Sequence, residues 1–88
     1  MDTGLQGKRA LITGGATGIG RGIALSLAAE GVDIAIASRN PSEETIREIE
    51  DYGVQALRVI ADVGQEGQVV RAVQETIDGL GGLDLYIN

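Results

Sequence analysis

Five glycines and two threonines are concentrated in one short segment, Thr13-Gly-Gly-Ala-Thr-Gly-Ile-Gly-Arg-Gly22. The segment follows a short apolar run and precedes a helical pattern, so it predicts a strand-to-helix turn. Such a turn directs unpaired backbone N–H groups and the positive end of the helix dipole at whatever lies in front of it. Glycine lets a phosphate approach the backbone closely and permits a positive φ. The chemistry predicted here is the binding of an anion, most naturally a phosphate.

A regular alternation of strands and helices must position this turn. Short apolar runs predict strands at residues 9–13, 32–37, 55–61 and 83–87. Helical spacing of apolar residues predicts three helices between them, with buried stripes at Ile19, Ile23 and Leu27; at Ile46, Ile49 and Tyr52; and at Val69 or Val70, Val73, Ile77 and Leu80. Ser42 is a candidate N-cap, and we expect the helices to end at Gly31, at Gly53 and at Gly79, Gly81 and Gly82. Helices between successive strands predict parallel pairing, and so an open α/β sheet with helices on both faces.

The composition excludes several other chemistries. The 88 residues include no Cys, His, Trp or Phe, which excludes a disulfide framework, a zinc site built on Cys or His, a His-activated nucleophile and aromatic platforms for bases. The net charge of -6 argues against non-specific binding to nucleic acid or to an anionic membrane. The first 40 residues carry four basic and three acidic residues, whereas the rest carry three Arg against ten acids. The half that contains the glycine-rich turn is therefore the half that tolerates an anionic ligand.

Two general nucleotide-binding motifs do not fit the glycine-rich segment. Gly15 and Gly20 have the spacing of the phosphate loop of nucleotide hydrolases, but Arg21 follows where that motif needs Lys. The pattern Gly-x-Gly-x-x-Gly fails as well, because Ile23 stands at its third glycine. The pattern that fits is Thr-Gly-x-x-x-Gly-x-Gly, with its fixed positions at Thr13, Gly14, Gly18 and Gly20.

This pattern resembles the glycine motif of the short-chain dehydrogenase/reductase family in its classical form. The resemblance extends over the whole chain but covers only the N-terminal, cofactor-binding part of the family. It implies a Rossmann-type parallel sheet with strand order 3-2-1-4, in which the fourth strand lies at an exposed apolar edge. It also implies that the turn binds NAD(P) through Gly14, Ala16, Thr17, Gly18, Ile19 and Gly20.

Ser38, Arg39 and Asn40 stand at the end of the second predicted strand, about 20 residues beyond the glycine motif. An acidic residue at this place would bind the 2′-hydroxyl of the NAD ribose, and there is none. A hydroxyl and a guanidinium suit a 2′-phosphate instead, and Asn40 adds a donor. The segment therefore predicts NADP rather than NAD, although a solvated loop arginine is the alternative reading.

Two further segments match the family. Asp62 and Val63 follow the third strand, where the resemblance implies an adenine pocket whose carboxylate accepts from the adenine amino group. A carboxylate that only caps a turn is the alternative for Asp62. Asn88 matches the first residue of the Asn-Asn-Ala-Gly segment after the fourth strand, and the resemblance places it beside the adenosine ribose. An ordinary, frayed C-terminal residue is the alternative for Asn88.

The residues that perform catalysis in this family have no counterpart in these 88 residues. The family transfers a hydride between NAD(P) and a carbonyl or alcohol, with a Tyr in Tyr-x-x-x-Lys and a Ser. Ala56 stands four residues after Tyr52, only two residues follow Tyr86, and Lys8 is the sole lysine. We therefore expect residues 1–88 to form an incomplete NAD(P)-binding domain, truncated after the fourth strand, with its catalytic residues beyond the chain. The alternatives are a non-catalytic dinucleotide-binding module and an inert truncated fragment.

The expected partners follow from the same resemblance. They are NADP(H), a small carbonyl or alcohol substrate in the parent enzyme, and further copies of the protein, because the family tends to form homo-oligomers. No segment resembles a signal peptide, and no apolar run approaches the roughly 20 residues of a membrane span. A cytoplasmic protein without metal, nucleic acid or membrane partners is therefore expected.

Overall fold

The computed structural model describes residues 4–14 and 18–88 as alternating strands and helices. The elements are β1 (Arg9–Thr13), α1 (Gly18–Ala29), β2 (Asp33–Ser38), α2 (Glu43–Glu50), β3 (Ala56–Ile60), α3 (Glu66–Leu80) and β4 (Leu85–Ile87). All strand pairs are parallel, and the sheet has the order β3-β2-β1-β4. The predicted fold class, strand order and edge position of the fourth strand are confirmed.

The central strands β1 and β2 are buried on both faces. Ala10 and Ile12 belong to the apolar cluster beneath α1 and α2, whereas Leu11 belongs to the cluster beneath α3. In the same way Ile34 and Ile36 alternate with Ala35 and Ala37. Alternate residues of a strand point to opposite faces, so an unbroken apolar run is what a strand covered on both sides requires.

The helices are fixed by small residues and by a cap. Ala24 and Ala28 of α1 are buried against the sheet, where small side chains allow close approach. The Ser42 hydroxyl accepts a hydrogen bond from the Thr45 N–H at the start of α2, as predicted. Gly31, with a φ of +87°, follows the end of α1 as predicted. Helix α2 ends earlier than predicted, at Glu50 with Asp51 as its C-cap, and Gly53, with a φ of +85°, ends the turn that follows.

Parts of the predicted helix faces are wrong. Ile19 is 85% exposed because it lies in the first turn of α1, and Tyr52 is 52% exposed because it lies beyond the last helical residue of α2. In α3 the buried positions are Ala72, Thr76 and Leu80, while Ile77 is 39% exposed. The small side chains at 72 and 76 let α3 approach the sheet, whereas hydropathy alone favoured the larger neighbours.

Gly79 was also predicted to end α3, and it lies inside the helix instead. A Cβ atom there would come 2.6 Å from Leu57 Cδ2, so glycine at this position permits close contact between α3 and β3. The helix ends at Gly81, whose φ is +87° and whose N–H donates to the Ile77 carbonyl.

The amino ends of the strands are closed by a dense hydrogen-bond network. The Asp84 carboxylate accepts from the backbone N–H of Arg9 at 2.9 Å and from its Nε at 3.2 Å, and Asp84 N–H donates to the Arg9 carbonyl. Arg9 Nη1 also donates to the Gly81 carbonyl at 3.0 Å. At the amino ends of β2 and β3, Asp33 Oδ1 accepts from the Gln55 N–H at 2.8 Å. These polar side chains at the amino end are thus engaged with one another and with the backbone.

Candidate cofactor-binding site

The segments that follow β1, β2 and β3 meet at the carboxyl edge of the sheet. The Gly14 N–H donates to the Ala37 carbonyl at 3.2 Å, and the Ala61 N–H donates to the Ser38 carbonyl at 2.9 Å. Because the strands are parallel, the turn after each strand opens on the same side. The glycine turn, the Ser38 segment and the Asp62 segment are therefore neighbours, as the alternation of strands and helices predicted.

Thr13 joins the fourth strand end to this edge. Its hydroxyl, mostly buried, donates to Asn88 Oδ1 at 2.8 Å and lies 3.5 Å from the Ile87 carbonyl. The sequence gives Thr13 a fixed place in the glycine motif, but nothing in it predicts a partner 75 residues away. The bond orients the exposed Asn88 side chain beside the start of the glycine turn.

The two described ends of the glycine turn have the backbone conformation that the sequence suggests. Gly14 and Gly18, on either side of the turn, have φ values of +71° and +56°, which L side chains rarely adopt. A Cβ atom at either position would meet no described atom within 4 Å, so the backbone there faces open space. Ala16 and Thr17 lie outside the described residues, while Ile19 is exposed and Gly20 is half-buried. The start of α1 thus presents its N-terminal dipole at an open surface.

Ser38 is the polar side chain at this edge whose surroundings are most unusual. Its Oγ is buried, yet it makes no hydrogen bond within the part of the chain that the structure describes. A buried hydroxyl without a partner costs about 1–3 kcal/mol, and such groups are rare in folded proteins. A ligand oxygen at the strand end would satisfy it.

Arg39 and Asn40 continue the strand end into solvent. Both are exposed, and among residues 4–14 and 18–88 neither side chain has a hydrogen bond or an ion pair. Arg71 also reaches this edge and donates to the Ile60 carbonyl at 2.6 Å, but its guanidinium is paired with Glu75 and Gln68. Arg21 of α1 forms a two-pronged ion pair with Glu48. Arg39 is therefore a cation at the carboxyl edge that is available to an anionic ligand.

Asp62 closes the turn after β3. Its Oδ1 accepts from the Gly64 N–H at 3.1 Å, and its carbonyl accepts from the Gln65 N–H at 3.0 Å. The turn-capping interpretation is therefore correct for one carboxylate oxygen, while Oδ2 has no partner among the described residues. Val63 is half-buried and packs against the cluster beneath α3. One carboxylate oxygen is thus used by the turn and the other is left for a ligand.

A surface groove lies on the other side of α2, along its contact with β3. It has a volume of about 330 Å³ and is lined by Glu43, Ile46, Arg47, Glu50 and Arg58. Its two arginines face two carboxylates, and Glu43 pairs with both of them. Both arginines of this groove are thus already paired with a carboxylate.

Among the described residues, the carboxyl of Asp84 has a lowered pKa, and it too lies away from the carboxyl edge. The backbone N–H of Arg9, followed by its guanidinium, hydrogen-bonds Asp84 and holds the pKa of that carboxyl below its usual value. Arg9 and Asp84 belong to the amino end of the sheet, so this carboxylate serves the fold rather than the candidate site.

The parallel sheet, its order and the glycine turn define a Rossmann-type fold, the class that binds nicotinamide dinucleotides. The family model described as short chain dehydrogenase matches residues 8–88. The chain therefore belongs to the short-chain dehydrogenase family.

Individual relatives agree with this assignment. The chain is 46% identical to General stress protein 39 of Bacillus subtilis over 87 residues. This alignment covers 96% of this chain and 30% of that protein. L-sorbose reductase from Gluconobacter frateurii, solved with NADPH and L-sorbose, matches with a TM-score of 0.92 at 36% identity and covers 100% of this chain and 35% of that one. A 3-oxoacyl-[acyl-carrier protein] reductase from Brucella melitensis, solved with NAD, matches with a TM-score of 0.85 at 37% identity, over 92% and 32% of the two chains.

These comparisons set two limits. The chain spans about a third of the length of the relatives it matches. Similar structures contain either NADPH or NAD, so family membership alone does not select between the two cofactors.

Among the described residues, no helix is both long and apolar enough to cross a membrane.

Proposed function

We propose that this chain is the NADP(H)-binding part of a short-chain oxidoreductase that transfers a hydride between the nicotinamide and a carbonyl or alcohol. The unsatisfied Ser38 hydroxyl next to the unpaired Arg39 guanidinium is the observation that carries the preference for NADP. A 2′-phosphate would supply acceptors for both groups. An NAD ribose offers no charge to Arg39, and this strand end has no acidic residue to bind its hydroxyls.

The size of the preference follows from the type of interaction. A hydrogen bond to a charged group contributes about 1.5–3 kcal/mol, which corresponds to roughly tenfold to a hundredfold in affinity. Arg39 is exposed and salt screens it, so we expect the lower part of this range. Asn40, with its free amide, would add a weaker donor.

The other candidate residues would hold the rest of the cofactor. The backbone of Gly14, Gly18 and Gly20, with Ala16, Thr17 and Ile19, would bind the diphosphate at the start of α1. The free oxygen of Asp62 would accept from the adenine amino group, with Val63 beside the ring. Asn88, oriented by Thr13, would lie along the adenosine ribose. The open backbone at the glycines and the free oxygen of Asp62 support this fit.

When bound, the nicotinamide supplies the hydride donor or acceptor, and the proposed role of these 88 residues is to bind it. The Tyr-x-x-x-Lys pair and the Ser of the family would follow residue 88. Tyr52 and Tyr86 lack a lysine four residues later, and Lys8 precedes β1, at the sheet edge opposite the glycine turn. We therefore expect the 88-residue chain to bind NADPH without catalysing its oxidation. The cytoplasmic location and the homo-oligomeric state stay predictions.

Titration of NADPH and NADH, followed by calorimetry, tests the cofactor preference. We expect the unmodified chain to bind NADPH at least tenfold more tightly than NADH, and Arg39→Asp to remove that difference. Arg47→Asp is the matched control, because it makes the same charge change at an exposed position of α2 away from the site. Equal affinities in the unmodified chain, or an equal loss in both variants, would overturn the proposal.

The codons that follow Asn88 in the source gene separate the alternatives. A continuing Asn-Ala-Gly and a later Tyr-x-x-x-Lys would support the oxidoreductase. A stop codon together with NADPH binding would favour a non-catalytic binding module. A stop codon without NADPH binding would leave an inert fragment.

A further inference from the structure

The two helices that flank the proposed phosphate sites are joined by one ion pair. Arg21, in the first turns of α1, donates from Nε to Glu48 Oε1 at 3.1 Å and from Nη2 to Glu48 Oε2. The two side chains are 41% and 32% exposed, so solvent screens the pair only in part. Among the ion pairs of the described residues, it alone connects two helices. A planar guanidinium paired with both oxygens of a carboxylate fixes orientation as well as distance.

The pair links the elements that would hold different parts of one ligand. Helix α1 begins at Gly18, directly after the glycine turn, and Arg21 is its fourth residue. Helix α2 begins at Glu43, so only Asn40, Pro41 and Ser42 separate it from Arg39. Pro41 is buried and Ser42 caps the helix, which makes this connection short and stiff. The position of α2 therefore limits where Arg39 can lie.

A second contact holds the start of α2. Glu43 accepts from Arg58 of β3 at 2.8 Å, so α2 is attached to the sheet at its first turn and to α1 through Glu48. In the Arg58–Glu43 pair the carboxylate side chain is 68% exposed, whereas the Glu48 side chain of the Arg21–Glu48 pair is only 32% exposed. Loss of that pair would leave only apolar contacts, such as those of the buried Ile49, to set the position of α2 relative to α1.

We infer that Arg21 and Glu48 are positioning residues, which hold the diphosphate-binding and 2′-phosphate-binding elements at a fixed separation. This inference rests on the proposed function. A ligand that touches both elements should bind more tightly when the ion pair is present, because the two parts of its site are held at the right separation before it binds. A ligand that touches only the Arg39 segment should not.

Two probes distinguish these cases. NADPH would reach both elements, whereas adenosine 2′-monophosphate has the 2′-phosphate and lacks the diphosphate. In Arg21→Gln/Glu48→Gln, which keeps the net charge, we expect NADPH to bind about fivefold more weakly and adenosine 2′-monophosphate to change less than about twofold. The charge-reversed pair Arg21→Glu/Glu48→Arg should recover part of the NADPH affinity.

The matched control is Arg47→Gln/Glu50→Gln, which also keeps the net charge and alters only exposed positions of α2. It should change neither affinity. If the first variant fails to fold by circular dichroism, Glu48→Asp shortens the carboxylate arm and should show a smaller loss of the same kind. The inference is wrong if both probes weaken equally, or if NADPH affinity is unchanged in a folded variant. The proposed function fails separately, if the unmodified chain shows no preference for NADPH over NADH.

Discussion

The two ends of the sheet are built from similar residue types and use them differently. At the amino end, Arg9 and Asp84 exchange hydrogen bonds with each other and with the backbone. At the carboxyl end, Ser38 and Arg39 have no side-chain partner among the described residues. A buried polar group without a partner is rare in a folded protein, so the unsatisfied Ser38 hydroxyl marks the carboxyl end as the place where a ligand would complete the structure.

A substitution in the glycine turn should cause the largest loss of NADPH affinity at the carboxyl end. Gly18→Val places a β-branched side chain at a φ of +56°, in the open space that a phosphate would enter. We expect NADPH affinity to fall by at least about a hundredfold, which corresponds to about 2.7 kcal/mol. Calorimetry measures the affinity, and circular dichroism establishes that the variant is folded.

Gly22→Ala is the control for that substitution. Gly22 lies inside α1 with no positive φ and with open space around its Cβ position, so alanine should stabilise the helix by up to about 1 kcal/mol. NADPH affinity should stay the same. Equal affinities of Gly18→Val and Gly22→Ala for NADPH would contradict a phosphate site at the turn.

Asp62→Asn separates the two roles proposed for one carboxylate. The amide oxygen can still accept from the Gly64 N–H, so the turn and the melting temperature should be preserved. The amide nitrogen replaces the oxygen proposed to accept from adenine, and it is a donor. NADPH affinity should therefore fall about tenfold. A folded variant with unchanged affinity would leave Asp62 as a turn residue only.

Asp84→Asn tests the amino end and should give the smallest effect. Hydrogen bonds from Arg9 lower the pKa of Asp84 in the folded state, so its stabilising contribution is present above the ordinary carboxyl pKa of about 4. It is lost as the pH falls through the lowered folded-state pKa. The unmodified chain should therefore melt at a higher temperature than Asp84→Asn at pH 7, and the gap should narrow below about pH 4.

NADPH affinity of Asp84→Asn at pH 7 should equal that of the unmodified chain. A gap in melting temperature that widens on acidification would show that the sign of the Asp84 contribution is wrong. A loss of NADPH affinity in a folded Asp84→Asn variant would remove the functional distinction between the two ends.

Much of the fold could be predicted from the sequence, because local signals agree with one another. The bounds of β1 are predicted to the residue, since an apolar run ends at paired glycines. The order of the strands came from the family resemblance and is confirmed. The errors lie where burial depends on a neighbour: Tyr52 has the right spacing but follows the end of its helix, and Gly79 meets Leu57 from another strand.

The candidate site also has features that could be predicted from the sequence and features that could not. Residue types at a strand end predict Ser38 and Arg39, the family resemblance adds Asp62, and parallel strands bring their carboxyl ends together. The missing partner of the Ser38 hydroxyl and the bond from Thr13 to Asn88 depend on packing across the sheet, for which the sequence has no local signal. The pair between Arg21 and Glu48 is likewise visible only once two helices are placed side by side.

The contrast between the two ends can be measured in one titration. We propose following the backbone amide resonances of the ¹⁵N-labelled chain by nuclear magnetic resonance as NADPH is added. Saturable shifts should be concentrated at residues 14, 18–20, 38–40, 62–64 and 88, while residues 9, 31, 53 and 81–84 stay in place. Shifts concentrated at the amino end, or no saturable shifts at the carboxyl end, would contradict the account.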